Sequence, residues 1–187
     1  MLNDVNLRTR LRVGTRKEHE ALDAKLAGLD LTSPDGLSRF LQVQAAALPR
    51  IRISDGVARS ADLADDLLAS LRLDLAVLGV PELPEGPVVE VHALAMDYVV
   101  LGSRLGTAVL RKTWAVADNP LVQRASRYFE APARPDLWRT FCVETGQMEA
   151  DGAQADRMVD DVRALFRLYD DCAGQALKAG RTINELT

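Results

Sequence analysis

Histidine and cysteine are scarce in this chain of 187 residues, with two of each. The cysteines, Cys142 and Cys172, have no metal-site spacing, so a thiolate zinc site is excluded. Two ordinary thiols in a reducing compartment are the simplest reading, and a disulfide between them stays open. Aromatic residues make up only 5% of the chain, and strict apolar/polar alternation is rare. Both argue against a β-rich core. No apolar stretch near the N-terminus reads as a secretory signal. No uncharged apolar run reaches the roughly 18 residues expected of a membrane helix. Cationic excess is also missing: 23 Lys and Arg against 27 Asp and Glu give a net charge of −4. Nucleic acid is therefore a poor candidate partner, because phosphate binding needs a basic surface. These absences lead us to expect a cytoplasmic protein.

What is present is helical punctuation in a chain rich in leucine and alanine, long enough for one domain spanning residues 1–187 with a real core. The pattern predicts a first helix over Asn6–Leu29. Ser33-Pro34-Asp35 reads as an N-cap followed by proline at the first helical position, opening a second helix that Pro49 ends. One or two helices follow over Asp62–Leu78, with Gly79 as the stop. Val80–Pro87 is a loop. Val88–Lys112 is the longest apolar segment, and its interior glycines predict a bend. Asn119–Tyr128 is a short helix and Glu130–Pro135 a loop. Helices over Asp136–Gln147 and Asp151–Lys178 complete an all-α, single-domain bundle.

Thr15, His19, Leu22 and Leu26 are spaced 4, 3 and 4, so they share one face of the first helix. An imidazole in an apolar stripe needs partners for its ring nitrogens. It finds them either in a neighbouring carboxylate or carbonyl, or in a metal such as haem iron. Arg12 and Arg16 lie seven and three residues before His19 along the same side. They suit the carboxylates of such a ligand, or a solvated helix flank.

Tyr98, Gly102 and Gly106, spaced 4 and 4, form a second stripe about 12 Å long. Each glycine costs about 1 kcal/mol relative to alanine inside a helix. Close approach of another helix or of a flat ligand would offset that cost. Ser103 and Arg104 add a hydroxyl and a cation beside the stripe. His92 lies about 15 Å before Gly102 along a straight helix and points elsewhere, so it reads as structural or exposed.

These residues resemble the haem oxygenase family, in particular its bacterial biliverdin-producing branch. Leu11-Arg12-x-x-Thr15-Arg16-x-x-His19-Glu20-x-Leu22-Asp23 is similar to that family's proximal-helix motif. Tyr98-Val99-x-x-Gly102-Ser103-x-Leu105-Gly106 resembles its distal-helix motif. Asp74-Leu75-x-x-Leu78-Gly79 resembles the signature before its central loop, and Val162–Phe166 the start of its final helix. The likeness runs in order through most of the chain. It implies an all-α haem oxygenase-like bundle with a glycine-kinked distal helix.

The resemblance further implies haem b as both cofactor and substrate, opened with O2 and electrons from an external reductase to biliverdin, carbon monoxide and iron. His19 would be the axial ligand, and Gly102, Ser103 and Gly106 would form the distal wall where the chemistry occurs. Arg12, Arg16, Tyr98 and Phe166 would hold the macrocycle, the first three at its propionates. The implied partners are a ferredoxin or flavin reductase and, downstream, a bilin-binding photoreceptor. The chain departs from the family pattern at Asp97, Leu101 and Thr107, and Asp170 and Asp171 stand where animal members carry basic groups. A non-catalytic haem-binding or sensing relative is therefore a second expectation. A cofactor-free helical interaction protein, with His19 satisfied in the core, is a third.

Overall fold

In the computed structural model, which describes residues 6–184, helices dominate as expected. They are α1 (Leu7–Gly14), α2 (Arg16–Leu26), α3 (Pro34–Ala47), α4 (Ala61–Leu78), α5 (Ala93–Trp114), α6 (Pro120–Arg124), α7 (Arg127–Glu130), α8 (Pro135–Gln147) and α9 (Ala153–Asn184). The long α9 packs against α1, α2, α3 and α5 and so serves as the spine. Leu11, Leu37, Leu41, Leu71, Leu75, Leu101, Phe141 and Leu165 are fully buried in one continuous core.

Local chemistry sets the helix ends. Ser33 accepts from the Gly36 N–H at 3.1 Å, with Pro34 at the first position of α3. Gly36 lies against the Asp30 backbone, where an added Cβ would come within 2.2 Å of the Asp30 carbonyl oxygen. Pro49 falls in a short 3-10 turn that follows α3. Gly79 adopts φ 70°, and the Val80 N–H reaches back to the Leu75 carbonyl at 3.1 Å. That pairing closes α4 in the manner of a left-handed glycine cap.

The expected first helix divides in two at Thr15. The Arg163 guanidinium donates to the Gly14 carbonyl at 3.0 Å, and the Thr15 hydroxyl donates to the Leu11 carbonyl at 2.7 Å. The backbone at Thr15 leaves helical geometry, with φ −114° and ψ 7°. A tertiary arginine thus takes a carbonyl from the end of α1, and the chain restarts as α2.

The structure also contains a short parallel sheet that sequence reasoning did not anticipate. β1 (Ile51–Asp55) pairs with β2 (Val89–His92), with Ile51 opposite Val89 and Ile53 opposite Val91. The long apolar segment is therefore a strand followed by α5, not a single helix. α5 continues without a break through Gly102 and Gly106. By length and mean composition α5 is apolar enough to cross a membrane, but Asp97 and Arg104 interrupt it and half of that stretch is buried inside the fold. Asn119–Tyr128 resolves into α6 and the start of α7. Cys142 and Cys172 are both free thiols, so no disulfide joins them. Burial pushes the Cys172 thiol up, against the pull of the adjacent Arg50.

Two fully buried carboxylates lock neighbouring elements together. Asp74 on α4 accepts from the Arg127 and Tyr128 N–H groups at 3.2 and 2.9 Å, capping α7. Asp97 on α5 accepts from the Ser60 N–H and hydroxyl at 2.9 and 2.7 Å, at the start of α4. The Arg59 guanidinium stands 3.7 Å from Asp97 and also bonds Glu144.

Candidate functional site: a cleft between α2 and α5

α2 and α5 flank a cleft of about 390 Å³, whose inner end is formed by α3, α7 and α9. His19, Leu22 and Leu26 contribute one wall, as their spacing on one helix face requires. The His19 side chain is 55% exposed, so it stands at the cleft mouth and is not a sealed core residue. Its Nδ1 lies 3.2 Å from an Asp23 carboxylate oxygen, one turn along α2. Its ring meets Phe166 of α9 edge-on, with centroids 5.3 Å apart. Asp23 thus stands behind Nδ1, and Nε2 has no hydrogen-bond partner among the described residues.

The glycines of α5 contribute the other wall, and the two differ. A Cβ on Gly102 would meet the Trp138 ring at 3.6 Å, an ordinary contact. A Cβ on Gly106 would meet nothing within 4 Å. Helix packing accounts in part for Gly102 but gives no reason for Gly106, which borders open space. Ser103 also lines the cleft, with its hydroxyl donating to the Val100 carbonyl at 2.8 Å.

Tyr98 links the cleft to a neighbouring polar recess of about 310 Å³, where Arg8 and Arg12 stand beside Trp138. Burial pushes the Tyr98 phenol up, while the Thr15 hydroxyl and the Arg12 and Arg8 charges pull it back. Arg12 therefore sits next to the cleft, with Tyr98 between. Arg16 does not: it is exposed and donates to Glu20 at 2.6 Å on the outer side of α2. Arg104 differs from its expected place beside the glycines. It is 2% exposed and donates to the Tyr128 and Ala131 carbonyls at 3.3 and 2.8 Å, away from the cleft. His92 caps α5, its Nδ1 accepting from the Leu94 N–H at 3.1 Å, as its structural reading required.

The departures from the family pattern fall mostly outside this space. Asp97 is the cap on α4, and Leu101 is fully buried in the core. Only Thr107 lines the cleft, with its hydroxyl held by the Ser103 carbonyl at 2.9 Å. Asp170 pairs with Lys25 at 2.5 Å.

Sequence reasoning missed four contributors: Asp23 as the partner of His19, and Gln44, Tyr128 and Tyr169 at the inner end. The i, i+4 spacing of His19 and Asp23 was a readable signal. So was Gln44, a polar residue amid the apolar run of α3. Tyr128 and Tyr169 reach the cleft only through tertiary packing.

Among the described residues, no three His, Cys, Asp or Glu side chains group as a metal cage. The arrangement instead offers one oriented imidazole, a largely apolar slot and a bare stretch of helix. A metal at His19 would have to bring most of its own ligands. No family model matches the chain, and no curated protein matches it.

Proposed function

We propose that the chain is a haem oxygenase, with haem b held as substrate between α2 and α5. One observation carries the reading: the Nε2 of His19, without a hydrogen-bond partner among the described residues, shares a cleft with Gly106, where an added Cβ would meet nothing within 4 Å. A metalloporphyrin brings four nitrogen donors of its own and needs from the protein one axial base and two flat walls. His19 would be that base, with the Asp23 carboxylate 3.2 Å behind its Nδ1. Phe166 holds the imidazole against rotation. Leu22, Leu26 and Leu110 give the slot its apolar lining. Tyr98 and Arg12, at the junction with the polar recess, suit the propionates.

When bound, haem supplies the iron that takes up O2 and the macrocycle that is opened to biliverdin, carbon monoxide and iron, with electrons from a separate ferredoxin or flavin reductase. The protein contributes position. Gly102 and Gly106 let the α5 backbone approach closely, and Ser103 keeps its hydroxyl on the Val100 carbonyl instead of extending it across the slot.

The test is to load the protein with hemin and add ascorbate in air. The expected result is loss of the Soret band with growth of open-chain tetrapyrrole absorption. A Soret band that forms and then persists would instead indicate a binding protein without the activity.

A further inference from the structure

Three side chains at the inner end of the cleft carry polar groups that the fold leaves unbonded. Gln44, Tyr128 and Tyr169 are 7%, 2% and 5% exposed, and all three line the cleft. None of their polar side-chain atoms is hydrogen-bonded among the described residues. Nor are these atoms among the sealed orphans, which are Arg104 Nε and Nη1 and one oxygen of Asp170. Their polar ends therefore open onto the cleft. Two phenols and an amide thus line one largely apolar cleft, and a buried polar group without a partner is costly.

Arg104 gives this cluster a sign. Its guanidinium carbon lies 5.1 Å from the Tyr128 ring centroid, on the far side from the cleft. It is buried with no carboxylate within salt-bridge distance among the described residues, and two of its nitrogens are orphaned. An uncompensated cation in a low-dielectric interior favours negative charge nearby. The one carboxylate lining the cleft among the described residues, Asp23, belongs to the mouth and pairs with His19. We propose that Gln44, Tyr128 and Tyr169, backed by Arg104, form a donor subsite at the inner end of the cleft that binds a carboxylate or small carboxylate-like anion. The carboxylate comes either from a free small acid or from a propionate of a macrocycle turned in the cleft so that this arm leaves Tyr98 and Arg12 for the inner end.

Two arms of one experiment separate these sources, and the first requires no haem. In the first, acetate is titrated into ligand-free protein and followed by isothermal titration calorimetry. Saturable binding is expected, weakened at least about tenfold in Tyr128→Phe/Tyr169→Phe, which keeps the ring shapes and removes both charge-assisted donors. In the second, iron-free protoporphyrin IX and its dimethyl ester are compared by fluorescence in the same proteins. A preference for the diacid that shrinks in the double variant assigns the subsite to a macrocycle carboxylate. A loss confined to acetate assigns it to a free acid. Gln44→Leu is a second, independent probe of the same donors. If acetate binding and diacid preference are the same in wild type, the double variant and Gln44→Leu, the subsite does not exist. Failure of hemin to bind wild-type protein would overturn the proposed function but leave the acetate arm readable.

Discussion

The α3–α4–α9 core and the α2–α5 cleft are built from the same residue types but finished differently. In the core, leucines reach zero exposure and the buried carboxylates Asp74 and Asp97 are both bonded. In the cleft, among the described residues, a Cβ on Gly106 would meet nothing within 4 Å, an imidazole nitrogen has no hydrogen-bond partner, and three buried polar side chains in the lining are unbonded. A chain able to complete one region so fully has left the other incomplete, which is what a site completed by its ligand looks like.

That contrast breaks first under core truncation. Leu71→Ala, at a fully buried position of α4, should lower unfolding free energy by about 2–5 kcal/mol. Urea denaturation measures it, and a loss below about 1 kcal/mol would mean the core is looser than its burial suggests. Asp23→Asn should leave the fold intact and weaken hemin binding by about 10- to 100-fold, the usual effect of losing a partner behind a metal-bound histidine. Spectral titration checks this, and unchanged affinity would remove Asp23 from the site.

Gly106→Ala sharpens the comparison because it acts in opposite directions on the two properties. With no neighbour within 4 Å of the added Cβ, the helix should gain up to about 1 kcal/mol. Hemin binding should weaken as the methyl enters the slot. Thermal denaturation and hemin titration of the same sample decide it; a destabilised variant would show that the glycine serves the fold.

The smallest expected effect is a pH dependence inside the core. Burial outweighs the hydrogen bonds from Tyr128 and Arg127 and raises the Asp74 carboxyl above its ordinary value. The folded chain therefore holds this proton more tightly than the unfolded chain. The group's stabilising contribution is complete below the ordinary carboxylate pKa and is lost as pH rises through the raised value. Asp74→Asn should close its stability gap to wild type as pH rises across that window, as seen in urea midpoints. A constant gap would contradict the sign.

Much of this was legible in the sequence because the signals were local. Ser33-Pro34 and Gly79 marked helix ends by chemistry confined to a few residues, and the His19 stripe and the two glycines declared themselves by spacing. The sheet was missed although Ile51-Arg52-Ile53-Ser54 and Val89-Glu90-Val91-His92 both alternate, because four residues are too few to outweigh the helical signal around them. The break at Thr15 depends on Arg163, a residue far along the chain, and no local pattern encodes it. Arg104 was placed beside the glycines by sequence proximity, yet its helical phase turns it toward Tyr128. The Asp97 and Leu101 departures looked like changes to the site and turned out to serve the α4 cap and the core.

The central claim is that His19 supplies an axial base to haem in the cleft. The most direct measurement is a hemin titration of wild type and His19→Ala, followed in the Soret region. Wild type should give a saturable one-to-one Soret band that is lost or strongly shifted in the variant. Identical spectra and affinities in the two proteins would contradict it.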